Sequence, residues 1–318
     1  MKGRKGFGEF LRILGITPPV IFLAVVGIIS TGAIIGLGVR TVDKRTKPVP
    51  RPVSRALKTQ DVKREAEAAQ KPEDTAKVSP LVPFEEYSVY AGPVDPPLIA
   101  VIIDDMGVDM IRTQRVLRLG IPLTLSYLTY APQLQDQIDQ ARDLGFEVML
   151  HVPMEARSSS ADYGGRYLSL AQSSGDNVRV LGSFLDKARG YIGINNHMGS
   201  AFTVDSGRME ALIEELGRRG LAFVDSKTTP KSRHRLVAER HGVPFAERDV
   251  FIDDSSAPGE IRARLDDIER IARKRGFVVA IGHPRDNTIS ALSEWARGLK
   301  EKGMTIVPVS NILQRMHR

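Results

Sequence analysis

The stretch Leu98-Ile99-Ala100-Val101-Ile102-Ile103-Asp104-Asp105-Met106-Gly107 is an unbroken apolar run closed by two adjacent carboxylates and a glycine. It is short for a helix and rich in β-branched residues, so it reads as a strand buried on both faces, as in parallel sheets. Acids at the C-terminal end of such a strand lie where open sheets and barrels of this class place their chemistry. One Asp there is accounted for as a turn former or helix N-cap. Two in a row repel each other unless they share a proton or a cation. The pair is therefore a candidate site.

Working outward from it, residues 96–318 alternate between two patterns. Apolar runs predict strands over Leu98–Ile103, Leu123–Leu128, Glu147–Leu150, Tyr191–Ile194, Ala222–Val224, Val250–Ile252, Val278–Ile281 and Met304–Val309. Amphipathic stretches predict helices over Gln133–Leu144, Asn177–Ala188, Ser206–Arg219, Arg233–His241, Pro258–Arg275 and Ile289–Lys300. Gly120, Gly145, Gly220, Gly276 and Gly303 fall where helix C-termini need a residue free of a side chain. Such alternation implies parallel pairing with right-handed crossovers. Seven or eight units fit one α/β barrel of parallel strands better than two domains.

Ahead of this domain the composition changes twice. Residues 1–15 are basic, with Lys2, Arg4, Lys5 and Arg12. Ile13 to Val39 carries no charge, and the apolar segment 16–39 is long enough to cross a bilayer as one helix. A cleaved signal peptide is the competing reading, but the apolar core is longer than such segments and no A-x-A site follows. Positive residues flank the segment on both sides, so charge alone does not orient it. Residues 40–95 combine repeated proline with Lys, Arg, Glu and Ala, too polar to offset the entropy of ordering, and read as a disordered tether. The net charge of +7 over 318 residues is largely N-terminal. No basic face with interleaved aromatics suggests nucleic-acid binding. With no cysteine, disulfides, thiolate metal sites and a Cys nucleophile are excluded.

The strand runs end in Asp104-Asp105, Tyr127, His151, Asn195-Asn196-His197, Asp225-Ser226, Asp253-Asp254 and His283-Pro284. In a parallel barrel all these ends converge on one face. Packing rarely accounts for Asp105, His151 and His197 at three coincident strand ends. Imidazoles plus a carboxylate are the donor set of a catalytic divalent metal such as zinc. Asp253-Asp254, before Ser255 and Pro258-Gly259, reads equally well as loop acids and an N-cap. Asn195 and Asn196 read as partners for loop backbone. The stretch from Ser158 to Gly165 reads as a flexible loop bordering a substrate.

Together, Ile102–Gly107, Leu150–Glu155, Asn195–Ser200, Phe223–Ser226 and Ile281–Pro284 resemble the divergent polysaccharide deacetylase family, over about Pro97 to the C-terminus. That family is similar to the archetypal polysaccharide deacetylases, metal-dependent carbohydrate esterases on a distorted (β/α) barrel. The resemblance implies a bacterial envelope protein with its domain in the periplasm, acting on an envelope glycan; with the apolar segment read as an uncleaved anchor, the expectation is a single-pass inner-membrane protein. The resemblance also implies Asp105 as metal ligand, Asp104 as general base, His283 as acid and Asp225 as the carboxylate that orients His283. The archetypal His-x-x-x-His pair is here His151 and Glu155. His197 is then the candidate for the missing ligand, Glu155 binds the metal or supports a ligand, and Asn196 and Ser226 support the site or meet substrate. No Arg-x-Pro-Tyr counterpart is found, so the oxyanion stabiliser is unassigned. The second reading is an inactive, membrane-tethered module that binds glycan or protein. A phosphoryl-transfer receiver, which also pairs acids at its first strand end, is set aside because the domain is too long and the histidines go unexplained.

Overall fold

A computed structural model describes residues 83–89, 95, 97–158, 160–232 and 234–317. The predicted anchor at 16–39 and most of the predicted tether lie outside the described residues. Among the described residues no helix is long and apolar enough to cross a membrane.

The strands are β1 (Leu98–Met106), β2 (Thr124–Leu128), β3 (Glu147–Met154), β4 (Gly193–Met198), β5 (Ala222–Asp225), β6 (Phe245–Glu247), β7 (Val250–Phe251), β8 (Phe277–Gly282) and β9 (Thr305–Ile306). The helices are α1 (Pro83–Tyr87), α2 (Met110–Leu117), α3 (Leu134–Asp143), α4 (Ser174–Leu185), α5 (Ser206–Arg218), α6 (Arg235–Arg240), α7 (Pro258–Arg275), α8 (Asp286–Leu299) and α9 (Val309–Met316). Every strand pair is parallel, in the order β6-β5-β4-β3-β2-β1-β8-β7, with β9 added to β1. The two ends of this path are consecutive pieces of one segment. The Arg248 amide still donates to Asp225 O of β5 at 2.9 Å, and the next amide, Asp249, donates to Val279 O of β8 at 2.8 Å. One short stretch thus leaves one edge and joins the other, so the sheet curls into a half-barrel rather than lying flat.

Period-two alternation sorts the core. Ile99, Val101 and Ile103 of β1 face the helices, packing with residues such as Val116, Ile138, Leu212 and Ile268. Leu98, Ala100 and Ile102 face the other way, with Met149, Val224, Val279 and Ile281 from other strands. Ile312 and Leu313 of α9 and Phe84 of α1 join this inner cluster. Each such side chain, fully buried, contributes about 1.5–3 kcal/mol.

Three expectations change. The end of the predicted tether is ordered: Phe84 is buried, its amide donates to Gly220 O at 3.0 Å, and the Val89 amide donates to buried Glu147 at 3.2 Å. The last predicted strand is only Thr305–Ile306, because Pro308 precedes a helix whose Val309, Ile312 and Leu313 recur at helical spacing. Helix α2 and strand β6 were not predicted; α2 starts at Asp109, whose side chain caps the Arg112 amide at 3.0 Å.

Gly107 makes the turn out of β1 at φ +97, and a Cβ there would stand 2.7 Å from Ala131 Cβ and 2.9 Å from Tyr127 Cδ1. Gly107→Ala therefore combines backbone strain with overpacking, and should lower stability by about 2 kcal/mol or more, roughly 4–8 °C in Tm. A melting curve superimposable on the parent's would show that this turn does not hold the end of β1.

Candidate active site

The inward face of β1 runs Leu98, Ala100, Ile102 and then Asp104, which is 2% exposed. In a regular strand Asp105 would point the opposite way, towards the helices. Two features prevent this. The register against β2 slips between Ile103 and Met106, and Asp105 adopts φ 55, a left-handed backbone that a non-glycine residue seldom takes. The bulge brings both carboxylates to one mouth: Asp104 Oδ2 and Asp105 Oδ1 each lie 3.5 Å from His151 Nε2.

Asn195 determines which nitrogen His151 presents. Asn195 Nδ2 donates to Asp104 Oδ1 at 2.7 Å, so its Oδ1 is the acceptor and receives the His151 Nδ1 proton at 2.8 Å. Nε2 of His151 is left as a lone pair facing the two acids. From β4, His197 places Nδ1 3.1 Å from Asp105 Oδ1, with its ring edge-on to His151 at 5.0 Å. Its Nε2 is 3.3 Å from the Asp162 carbonyl, so the loop after β3 borders the site.

Asp105 Oδ1 is buried yet makes no aligned hydrogen bond, despite these nearby nitrogens. One ligand atom each from Asp105, His151 and His197 lies within 4.8 Å of the others. An orphaned carboxylate oxygen facing two imidazole nitrogens fits a divalent cation, with three protein donors and room for further ligands.

Burial raises Asp104 to about 7, aided by the neighbouring Asp105. Burial would also raise Asp105, but its contact with His197 and the nearby His151 and His283 rings outweigh it and hold that carboxyl well below the usual range. Burial, with His197 close by, lowers His151 to about 3, so its ring is neutral. His197 is raised, the desolvation that opposes protonation being outweighed by Asp105.

His283, at the end of β8, points Nε2 towards Asp105 Oδ2 at 3.8 Å. Its orienting partner is Asp253, not Asp225. Asp253, with no exposed surface, accepts from His283 Nδ1 at 2.9 Å, the His283 amide at 2.8 Å and Thr288 Oγ1 at 2.7 Å. Burial opposes the protonation of His283, yet its bond to Asp253 leaves it raised. Asp225 follows Val224, which faces inward, so alternation turns it away from the mouth. There it accepts from the Lys227 amide at 2.7 Å and from Ser232 Oγ.

Glu155 also leaves the site. It lies just past the end of β3, where its Oε2 accepts from Ser169 Oγ at 2.8 Å and the Leu170 amide at 2.7 Å. The other predicted residues meet: Asp104, Asp105, His151, Asn196, His197, Ser226 and His283 line one groove of about 850 Å³. Asn196 Oδ1 accepts the Ser226 amide at 2.9 Å, tying the ends of β4 and β5 together. Sequence reading left the roles of Asp253 and Asn195 open. For Asp253 a signal existed, since Ile252-Asp253-Asp254 repeats the form of Ile103-Asp104-Asp105.

An uncharacterized protein of Haemophilus influenzae is 32% identical over 205 residues, covering 64% of this chain and 72% of that one. The uncharacterized protein YibQ of Escherichia coli is 30% identical over 233 residues, covering 73% of this chain and 72% of its own. The crystal structure of the uncharacterized protein ATU2773 from Agrobacterium tumefaciens C58 superposes with a TM-score of 0.69 at 27% identity, covering 73% of this chain and 98% of that one. Residues 101–313, from within β1 to within α9, match the sequence model of the divergent polysaccharide deacetylases, and the chain belongs to that family.

Proposed function

We propose that the domain is a metal-dependent hydrolase that removes acetyl groups from an envelope glycan, with zinc as the resident ion. The observation that carries this reading is the convergence of Asp105, His151 and His197 beside two further titratable groups, Asp104 and His283. A divalent ion bound by the three would supply Lewis-acid polarisation of the acyl carbonyl and of the attacking water. The chain's own residues handle the protons. Asp104, raised by burial to about 7, is suited to take the water proton near neutral pH. As the bond between acyl carbon and leaving amine or alkoxide breaks, His283 delivers a proton from Nε2, while Asp253 holds Nδ1 and stabilises the imidazolium. Water supplies both the oxygen of the acetate and the proton that replaces the acyl group.

The inactive-module reading drew its support from His-x-x-x-Glu in place of His-x-x-x-His. The place of His197 beside Asp105 and His151, where it could offer a third donor from another strand, favours the hydrolase reading over it. We further propose a periplasmic domain anchored in the inner membrane through 16–39, in keeping with the uncharged segment and the proline-rich stretch that follows it.

Acetate release from acetylated oligosaccharides, with and without chelator, tests the activity itself. Asp104→Asn should lower turnover roughly 10²–10⁴-fold while keeping the metal; full turnover would remove Asp104 from the role. Metal analysis after dialysis should find about one ion per chain in the parent and in Glu155→Ala, and little in Asp105→Ala or His197→Ala. Unchanged metal in all three variants would refute the ligand set.

The pH profile separates Asp253 from Asp225. His283 must be protonated to act as acid, and Asp253 keeps it so to higher pH. Asp253→Asn should therefore move the alkaline limb of kcat/KM to lower pH, whereas Asp225→Asn should leave it in place. The reverse pattern would restore Asp225 as the orienting group.

A further inference from the structure

The groove has a second, cationic wall formed by Lys227, Arg248, Arg264, Arg270 and Arg285. Three of these have a carboxylate partner, two of them sharing one. Lys227 Nζ is 2.9 Å from Glu247, while Arg264 and Arg270 share Asp267 at 2.9 and 2.7 Å. The other two are held differently. Arg248 occupies the joint between β6 and β7, donating Nε to Ser226 O at 2.7 Å and Nη2 to Lys227 O at 2.9 Å. Its guanidinium lies over the Phe251 ring, 5.0 Å from the centroid, and that ring is 5.3 Å from His283. Arg285, two residues beyond His283, donates Nη1 to the Asp253 carbonyl.

Carbonyl oxygens fix a guanidinium without cancelling its charge. Among the described residues neither arginine has a carboxylate within ion-pair distance. Asp249, on the same wall, is already engaged by Arg275 and the Val279 amide. Asp254 also lines the groove, but neither guanidinium is in direct contact with a carboxylate, and two such groups beside the proton donor match the planar recognition of carboxylate or phosphate.

We propose that Arg248 and Arg285 form a subsite for an anionic substituent, carboxylate or phosphate, on the sugar that carries the acyl group. The substrate is then an acidic rather than a neutral glycan. This inference rests on the glycan reading of the groove.

The test measures binding rather than turnover. The full chain carrying Asp104→Asn is titrated calorimetrically with N-acetylglucosamine, N-acetylglucosamine 6-phosphate and N-acetylmuramic acid, with chelator present so that no metal captures the anion. At least one acidic sugar should bind about tenfold or more tightly than the neutral one, a difference of about 1.4 kcal/mol. Which one does so distinguishes phosphate from carboxylate. Arg285→Gln, at an exposed position, and Arg248→Lys, which keeps charge but loses the fork, should each reduce that preference several-fold. Equal affinities for all three sugars, absence of binding included, overturn the subsite, as does a preference unchanged in both variants. An intact preference in a parent chain that releases no acetate would overturn the hydrolase reading alone.

Discussion

Two carboxylates adjacent in a chain cannot both face the same side of a regular strand. In this domain they do, because β1 bulges at its last turn and Asp105 takes a left-handed backbone. Such a conformation is unfavourable for a non-glycine residue and persists only where its surroundings over-determine it. Gly107, closed in by Ala131 and Tyr127, and the pairing of Met106 with Tyr127 supply that constraint from one side. The nitrogens of His151, His197 and His283 supply it from the other.

Once both acids share a mouth, electrostatics separates them. Asp104 continues the apolar inner face and is pushed towards neutrality by desolvation, whereas Asp105 sits among imidazoles and stays ionised. Adjacent groups of one residue type thus acquire different capacities, one for moving a proton and one for holding a cation. Asn195 links the halves, since the same side chain donates to Asp104 and fixes the His151 tautomer. Asp253 does the corresponding work for His283 across the β7–β8 pair.

The fold was legible because strand and helix periods differ, and the long apolar run at β1 left little ambiguity. Short elements were not legible: Phe245–Glu247 is too brief to show a period, and Val309–Met316 follows directly on the β-branched run Thr305-Ile306-Val307 and a proline. At the site, the strand-end rule singled out Asp105, His151 and His197, which the structure brings together, but not the support beneath them. The role that the resemblance implied for Asp225 fails because being at a strand end says nothing about which face a residue occupies, and parity with Val224 decides that. Glu155 showed the right spacing from His151 but lies past the strand, where the loop amide of Leu170 claims it. Arg248 was invisible because its position depends on one segment serving two edges of the sheet.

The most direct measurement is anomalous diffraction at the zinc edge from crystals of the chain grown with zinc. An ion held by the three residues gives one strong peak about 2.0–2.2 Å from an Asp105 oxygen and from a ring nitrogen each of His151 and His197. A peak coordinated by Glu155, or none within reach of all three residues, would contradict that ligand set.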